Sequence, residues 1–291
     1  MLFPKSSGVT LKEFRVRWRV LVPLTLLHLG AIAAFWHFTW GAFSLAVLLW
    51  ATTGVFGITV GYHRLLTHQS FETYPVVKWF HLFCASLTLQ QGPISWVRLH
   101  RAHHAYSDTP ADPHPQTYGF FFGHCGWAFL SHATIGRSED VRRIPRDLAG
   151  DPVIQFFENW HYPLFFASLV FFYLVGGLPY LLWAGCFRTA FTLHTTWSVN
   201  SLSHRIGYRN FATKDSSTNS RFVSLLTLGE GWHNNHHRYP SSAKQGMRLS
   251  EPDFSWAWIQ FLRLIGLAWN VRVPSGIFEP AAAKKVSDPA S

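Results

Sequence analysis

Residues 41–68, GAFSLAVLLWATTGVFGITVGYHRLLTH, decide how this chain must be built. The first part, residues 41–60, carries no charged side chain. A helix needs about 20 apolar residues to cross the hydrocarbon core of a bilayer. The stretch then runs directly into two histidines, His63 and His68. The sequence therefore predicts a membrane span with a histidine pair at its boundary.

Three further stretches are mostly apolar, at residues 20–36, 163–175 and 178–199, although the last carries Arg188 and His194 and has a weaker hydropathy signal. Short turns separate the members of each pair, at residues 37–40 and at Gly176-Gly177. We predict an all-α integral membrane protein with four transmembrane helices in two hairpins. Residues 20–36 follow a basic start, as a cleaved signal peptide would. A second span follows at once, which favours an uncleaved helix.

The basic residues predict the orientation. Segment 1–19 holds five Lys and Arg, residues 61–160 hold eight, residues 205–291 hold eleven, and neither hairpin tip holds any. Cytoplasmic loops of membrane proteins are enriched in Lys and Arg. We therefore expect both termini, the long loop 61–160 and all the clustered histidines on the cytoplasmic side. Residues 76–95 and 256–267 have the amphipathic pattern of helices that lie in the headgroup region or on a soluble face.

The composition agrees with a membrane protein. Hydrophobic residues make up 48% of the chain and charged residues only 14%, against about 25% in soluble domains. The net charge of +10 is spread among the apolar stretches, which argues against nucleic acid as a partner. Three cysteines without a CxxC pair predict neither a disulfide framework nor a zinc knuckle.

Nine histidines fall at metal-ligand spacing just beyond the apolar stretches. They are His63, His68, His100, His103, His104, His204, His233, His236 and His237. Zinc sites are satisfied by four ligands, so nine imidazoles predict two metal ions. Histidines three and four apart share one face of a helix, as in the second and third groups. Asn200 lies four residues before His204 and is predicted to share its face.

His63 and His68 do not fit this rule. Five residues on an α-helix leave two side chains about 140° apart, so a regular helix cannot direct both rings at one ion. Two interpretations remain open: the helix breaks after Val60-Gly61, or the two rings serve different metals.

The ligand types narrow the chemistry. Imidazole suits iron, copper, zinc and nickel, but zinc has no redox chemistry and no HExxH general base supports a hydrolase. Glu230 lies near the third histidine group. The remaining histidines are predicted not to be ligands: His28, His37, His81, His114, His124, His132, His161 and His194.

At these residues the chain closely resembles the membrane fatty acyl desaturases, in particular the stearoyl-CoA (delta-9) desaturase-like group and its cyanobacterial acyl-lipid relatives. The resemblance covers about residues 20–250, which we take as a desaturase domain between the N-terminal segment 1–19 and a C-terminal segment 251–291. The matching motifs are GITVGYHRLLTH (57–68), HRAHH (100–104), ADPH (111–114), GFFFGH (119–124), NSLSH (200–204) and GEGWHNNHH (229–237).

The resemblance implies a fold in which four transmembrane helices lie below a cytosolic helical cap that carries the histidine-rich site. It implies a di-iron centre of two Fe²⁺ bound by the nine histidines, with Asn200 contributing through a water. It also implies that dioxygen and two electrons are used to place a cis double bond in the acyl chain of an acyl-CoA or an acyl-lipid. Electrons would come from a separate ferredoxin, or from a b-type cytochrome with its reductase.

The resemblance also assigns substrate-binding residues. Gln90, Trp96, Thr196 and Trp197 would line a bent acyl tunnel, and Arg98 would lie near a coenzyme A group. The chain departs from the family pattern at Ala51, with Val55 one turn later, where the family carries a bulky aromatic residue at the closed end of the tunnel. It departs again at Leu99 and at Ser131-His132, which weakens the coenzyme A assignment.

Two other interpretations remain. A membrane alkyl or acyl hydroxylase would use the same kind of histidine cage. A membrane metal-binding or transport protein would place its ligands near the middle of the bilayer, in broken helices. The predicted position of the histidines at the cytoplasmic end of the spans favours an enzyme.

Overall fold

The computed structural model describes residues 11–275, and most of these residues are helical. Three helical stretches are long and apolar enough to cross a membrane: Trp18–His37, Trp40–Thr67 and Pro152–His204. The first two contain the predicted spans 20–36 and 41–60. The third contains both remaining predicted spans in one run.

The chain reverses direction within the third stretch, at Gly176 and Gly177. Both glycines leave helical geometry, and Gly177 has a φ of +67°, which favours glycine. A Cβ placed on Gly185 would lie 2.7 Å from the Cδ2 of Leu169. A straight helix would separate these two residues by about 24 Å. The glycine pair therefore acts as a tight turn between two packed helical arms.

The α-helices, α1 to α12 in chain order, span Trp18–Ala33, Trp40–Thr52, Pro75–Ser86, Pro93–Tyr106, Trp127–Phe129, Glu139–Arg142, Arg146–Ala149, Pro152–Tyr180, Arg188–Ser201, Arg221–Thr227, His233–Arg238 and Phe254–Leu264. Wider π-helical segments span Thr53–Thr67, Phe122–Gly126 and Leu181–Phe187. Tighter 3₁₀ turns span Leu11–Glu13, Ala34–His37, Gln116–Tyr118 and Leu202–His204.

Two short antiparallel ladders depart from the all-α prediction. Strand β1 (Arg15–Val16) pairs with β3 (Leu130–Ser131), and β2 (Glu72–Thr73) pairs with β4 (Ala268–Trp269). They tie both ends of the described chain to the cap. Strands of two residues have no periodicity that a sequence can display, so the prediction missed them.

Side-chain caps set where several helices begin. The Oδ1 of Asp151 accepts hydrogen bonds from the backbone N–H groups of Val153 and Ile154, at 2.9 and 3.2 Å, at the start of α8. Asp253 accepts from the N–H of Trp256 in the same way at the start of α12. These caps satisfy N–H groups that a helix leaves unpaired at its first turn.

The predicted amphipathic segments are only partly correct. Residues 76–95 do not form one helix, because α3 ends at Ser86 and α4 begins with Gly92-Pro93. Proline has no backbone N–H and therefore breaks a helix interior, but it is tolerated in the first turn, where Pro93 lies in α4. The second segment is helical as α12, from Phe254 to Leu264.

Two apolar cores position the histidines. The cap core includes Tyr62, Val97, Phe157 and Ile259 and packs around the Thr53–Thr67 segment. A second core joins α1, α8 and α9 through residues such as Leu24, Phe165, Leu193 and Trp197. By contrast, large apolar side chains on the outer faces of α1 and α8 are exposed, as expected for lipid contact.

Candidate metal centre

All nine predicted histidines come together, in two adjoining clusters. The first cluster contains His63, His68, His100, His104 and His236. The second cluster contains His103, His204, His233 and His237. Within each cluster the ligand-type atoms all lie within 4.8 Å of one another. The rings of His104 and His237, one from each cluster, have centroids 4.5 Å apart.

Helices α4 and α11 each serve both clusters. In α4, His100 and His104 point into the first cluster, while His103 belongs to the second. In α11 the relation is reversed: His233 and His237 belong to the second cluster and His236 to the first. Side chains four apart lie on one face and the residue between them is displaced around the helix. Each HxxHH motif therefore supplies two imidazoles to one cluster and one imidazole to the other.

The Thr53–Thr67 segment explains how His63 and His68 share one cluster. Its backbone pairs residues five apart, and the N–H of His68 donates to the carbonyl of His63 at 3.1 Å. A π-helix has about 4.4 residues per turn, so residues five apart return to within about 50° of each other. Both earlier interpretations are therefore wrong: the helix does not break after Val60-Gly61, and the two rings do not separate.

His204 reaches the second cluster from a tightened helix end. Helix α9 ends at Ser201, and the 3₁₀ turn Leu202–His204 follows directly. The regular four-residue relation predicted between Asn200 and His204 is therefore lost. The carbonyl oxygen of Asn200 accepts a hydrogen bond from Gln116 at 2.6 Å. Asn200 lines a cavity together with His100 and His233. Its predicted contact with a metal ion through a water stays a prediction.

Carboxylates hold the outer nitrogens of several rings. The Nδ1–H of His103 donates to Asp112 at 3.0 Å, and that of His237 donates to Asp215 at 2.7 Å. The Nδ1 of His63 is paired with Glu230. Such pairs fix the tautomer and the orientation of an imidazole that binds metal through its other nitrogen.

The Nε2 atoms of several rings face one another across the centre of each cluster. Nε2–Nε2 distances are 3.1 Å for His63–His236 and 2.8 Å for His104–His236 in the first cluster, and 3.1 Å for His204–His233 in the second. Metal–imidazole bonds of about 2.1 Å at right angles place two ligand nitrogens about 3.0 Å apart. The nitrogen spacing thus fits metal ions bound between the rings.

Unpaired atoms point to the same conclusion. The Nε2 atoms of His68, His103 and His237 are buried and have no hydrogen-bond partner. A buried polar atom left unpaired is costly unless something else binds it. Because the Nδ1 of His237 already donates to Asp215, the neutral ring leaves on Nε2 a lone pair that a metal ion would take.

Burial and neighbouring charges set the protonation state of the histidine rings. Burial, with repulsion from neighbouring imidazoles, lowers the pKa of five rings well below the usual range: His68, His100, His104, His233 and His236. Burial also lowers the pKa of His237 to about 4, against the opposing pull of Asp215. These rings are neutral near pH 7, the state in which imidazole binds metal.

The carboxylates carry the compensating charge. Burial alone would raise the pKa of Asp112 and Asp215, but His103 and His237, respectively, lower both below the usual range. In His103 the attraction of Asp112 outweighs burial and raises the pKa of the ring. The shell outside the imidazoles therefore carries negative charge that offsets metal cations.

Two arginines hold the histidine segments through partners that sequence spacing does not reveal. Arg64 is fully buried and pairs with Glu230 and Asp253, each at 3.0 Å, which joins the π-helical segment to the C-terminal cap. Arg101 donates to the carbonyls of Thr67 and Leu66 beside His68. Their partners lie far away in sequence, so only the fold reveals them.

Some histidines outside the nine also lie close together. His114 is grouped with His103 and Asp112, and its Nδ1 is buried without a hydrogen-bond partner. His28, His194 and His124 form a chain with contacts of 3.0 and 2.9 Å near the second core. No sequence spacing connects these three residues, because they come from three different elements.

A cavity of about 510 Å³, the outer cavity, leads to the first cluster and ends at His100 and Asn200. Four predicted tunnel residues line it: Gln90, Trp96, Thr196 and Trp197. The amide of Gln90 donates to the Thr196 hydroxyl at 3.0 Å. A second, narrower cavity, the inner cavity, begins at the same point and continues past Ile58 towards Trp50 and Gly54. The residues that line both cavities include Trp96, His100, Thr196 and Asn200.

Three substrate-binding predictions do not match this path. Ala51 and Val55 line a separate outer groove with Trp258 and Phe261. Neighbouring helix positions point about 100° apart, so Trp50 and Gly54, rather than Ala51, line the end of the inner cavity. Arg98 lines none of these cavities, whereas Leu99 lines the outer one.

Helices able to cross a membrane, two adjoining imidazole clusters and an apolar cavity that leads to them define a class: membrane proteins with a histidine-rich candidate metal site. Comparison with known proteins places the chain within that class. The family model described as fatty acid desaturase matches residues 34–251.

Individual relatives agree. The chain is 42% identical over 252 residues to the sn-1 stearoyl-lipid 9-desaturase of Anabaena variabilis, covering 85% of this chain and 90% of that protein. It is 39% identical to the sn-1 stearoyl-lipid 9-desaturase of a Synechocystis species, covering 92% and 83%. It is 40% identical to the icosanoyl-CoA 5-desaturase of Limnanthes douglasii, covering 87% and 72%. The chain belongs to the fatty acid desaturase family and is an oxidoreductase that desaturates fatty acyl chains.

Proposed function

We propose that this protein is a di-iron desaturase that introduces a cis double bond at the delta-9 position of a saturated acyl chain. The observation that carries the proposal is the pair of imidazole clusters at the point where two apolar cavities meet. The delta-9 position is supported by relatives named stearoyl-lipid 9-desaturases. Other relatives are named 5-desaturases, so the position needs direct measurement.

The nine histidines would hold two iron ions, five rings around one and four around the other, with Asn200 acting through a water. When bound, the iron pair would supply the oxidising chemistry. One dioxygen, two electrons and two protons would be consumed, two hydrogens would leave adjacent methylenes, and two waters would form with the alkene. All-imidazole clusters suit iron better than a hydrolytic zinc site, because zinc has no redox chemistry.

The protein's own residues would select the reacting carbons by shape. An alkyl chain offers no polar group, so its position depends on apolar burial, at about 0.8 kcal/mol per methylene. The residues shared by both cavities, Trp96 and Thr196 among them, would hold the bend beside the first cluster. The hydrogen bond between Gln90 and Thr196 would keep this wall rigid.

We further propose four membrane spans, with the fold-back at Gly176-Gly177 dividing the third helical stretch into two. Both termini and the histidine cap would lie in the cytoplasm, and the catalytic domain would cover residues 20–250. The distribution of Lys and Arg supports this orientation.

Electrons would come from a separate protein, a ferredoxin or a b-type cytochrome with its reductase. The chain near His237 exposes the basic side chains Arg209, Lys214 and Arg238, while Asp215 turns inward to His237. A positive surface favours an acidic carrier. Reduction by such a carrier should slow as ionic strength rises, because salt screens exposed charges.

Lipid analysis tests the proposal. Cells without delta-9 desaturation that express the chain should gain monounsaturated fatty acids with the double bond at carbon 9. His103→Ala should abolish the product while the protein still inserts into membranes, because it removes a ring from the second cluster. His37→Ala, at an exposed position in the 3₁₀ turn after α1, is the control and should remain active. A hydroxylated product without an alkene would instead favour an acyl hydroxylase.

A further inference from the structure

The outer cavity has an unusual mouth, because membrane-type helices line it. Its outer residues include Arg17 and Arg19 at the start of α1, and Tyr162 and Phe166 on α8. Tyr162 and Phe166 remain 47% and 53% exposed, so the cavity is open on this side rather than sealed. Both helices belong to stretches able to cross a membrane.

The opening continues inward along apolar side chains. Pro23 and Leu24 line it one to two turns beyond the arginines, about 6–10 Å further along the helix axis. Deeper still, Leu193 and Trp197 of α9 lead to Asn200 and His100. One continuous path therefore joins the outer face of the helical bundle to the first histidine cluster.

The polar end of the mouth is held in place. The guanidinium of Arg17 donates to the carbonyl of Trp127, and its backbone N–H donates to the carbonyl of Phe129 at 2.8 Å. The adjacent β1–β3 ladder extends this attachment. Arg19 is exposed beside the opening. At the start of a membrane span, such side chains lie level with lipid phosphate and ester oxygens.

We propose that this mouth is a lateral portal between α1 and α8, through which an acyl chain of a bilayer glycerolipid enters while its headgroup stays at Arg17 and Arg19. The inference rests on the proposed function and names the carrier of its substrate. A bilayer lipid already lies beside the opening with its acyl chains parallel to the helices. An acyl chain on a water-soluble carrier would need an entrance at the aqueous face of the cap.

Photo-crosslinking tests the portal without requiring turnover. The full-length protein is placed in phosphatidylcholine vesicles that contain phosphatidylglycerol with a diazirine in the middle of one stearoyl chain. Adducts should map to cavity residues such as Val20, Leu193 and Trp197. Excess unlabelled stearoyl-phosphatidylglycerol should compete, and the same concentration of stearoyl-CoA should not. Adducts restricted to the outer faces of the helices, or competition by stearoyl-CoA, would overturn the proposal.

A matched pair of variants sharpens the test. Val20→Trp places a large ring in the cavity, and we expect loss of the cavity adducts. Val22→Trp, two residues away, faces outward with 49% exposure and should keep them. Equal adduct yields in the two variants would exclude a portal at α1.

Failure here is distinguishable from failure of the desaturase proposal. Vesicles with labelled stearoyl-phosphatidylglycerol and detergent micelles with labelled stearoyl-CoA are assayed in parallel with a chemical or protein reductant. Desaturation of the lipid alone supports the portal. Desaturation of the thioester alone would overturn the portal and leave the desaturase activity established.

Discussion

Asp215 controls the orientation of a candidate ligand from outside the cluster. Its Oδ2 accepts the Nδ1–H of His237 at 2.7 Å, which leaves the Nε2 of that ring unpaired and directed at the second cluster. The amide that replaces it in Asp215→Asn can still form a hydrogen bond but carries no charge. Loss of such a partner typically weakens metal binding by about 10- to 100-fold.

We therefore expect Asp215→Asn to contain less iron than the parent protein at equal free iron, with an unchanged far-UV circular dichroism spectrum. Iron content per polypeptide, measured after dialysis against a graded chelator, checks this. Asp140→Asn is the control, since Asp140 lies at the exposed surface, away from both clusters, and accepts a hydrogen bond from Tyr106. Equal iron retention in the two variants would contradict the role of Asp215.

Gly54 offers a direct way to shorten the inner cavity. It lines the far end of that cavity with Trp50, and a Cβ added at Gly54 meets no atom within 4 Å. Gly54→Leu should fill this space without forcing the backbone to move. Losing the burial of two terminal methylenes costs about 1.6 kcal/mol, so preference for palmitoyl over stearoyl chains should rise roughly tenfold.

The product distribution of cells expressing Gly54→Leu measures this preference. Ala51→Leu is the matched control on the same helical run, because Ala51 faces the separate outer groove. Its product distribution should equal that of the parent. A shift with Ala51→Leu and none with Gly54→Leu would restore Ala51 as the end of the tunnel.

At the scale of elements, the π-helical segment Thr53–Thr67 depends on a close approach by α3. A Cβ on Gly57 would lie 2.5 Å from the backbone nitrogen of Ala85 and 2.7 Å from its Cα. Backbone atoms cannot move aside as a flexible side chain can. Gly57→Ala should therefore separate the two helices and cost about 1–3 kcal/mol, as overpacking usually does.

Thermal unfolding in detergent measures the effect, and the midpoint should fall by roughly 2–4 °C for each kcal/mol lost. Gly54→Ala is the control within the same segment, since its added methyl meets open space. It should unfold at or above the parent temperature, because alanine favours helices over glycine by about 1 kcal/mol. Equal midpoints for the two variants would show that the contact with α3 does not constrain this segment.

The same segment shows what the sequence could and could not predict. The nine clustered histidines were recognisable because spacing on a helix is local and needs no tertiary information. The shared cluster of His63 and His68 is not predictable in this way, because a spacing of five residues brings two side chains together only in a π-helix and not at 3.6 residues per turn. Two other features depend on contacts between distant elements. Arg64 pairs with Glu230 and Asp253. Gly54, and not the predicted Ala51, lines the end of the inner cavity.

At the scale of the whole molecule, the membrane boundary organises the site. Three stretches can cross a bilayer, and the candidate ligands lie at their polar ends or in the cap. Apolar surface would face lipid, while carboxylates such as Asp112 remain buried against the imidazoles. In the proposed function, an apolar cavity next to the cap would let an insoluble acyl chain and a separate electron carrier reach the same centre.

The proposed orientation leads to the last prediction, that the tip between α1 and α2 lies across the membrane from the cap. Starting from a variant with Cys84, Cys125 and Cys186 replaced by alanine, one cysteine is introduced either at Phe38, in the tip, or at Leu249, in the cap. Both positions are exposed, at 46% and 104%.

A membrane-impermeant maleimide added to intact cells should label Phe38→Cys and not Leu249→Cys. After the membrane is permeabilised, both should react, which controls for accessibility. The physical reason is the absence of Lys and Arg at residues 37–40 and their abundance around the cap, since positive side chains are retained on the cytoplasmic side. Labelling of Leu249→Cys in intact cells would place the histidine clusters outside the cytoplasm, beyond the reach of a cytoplasmic electron carrier.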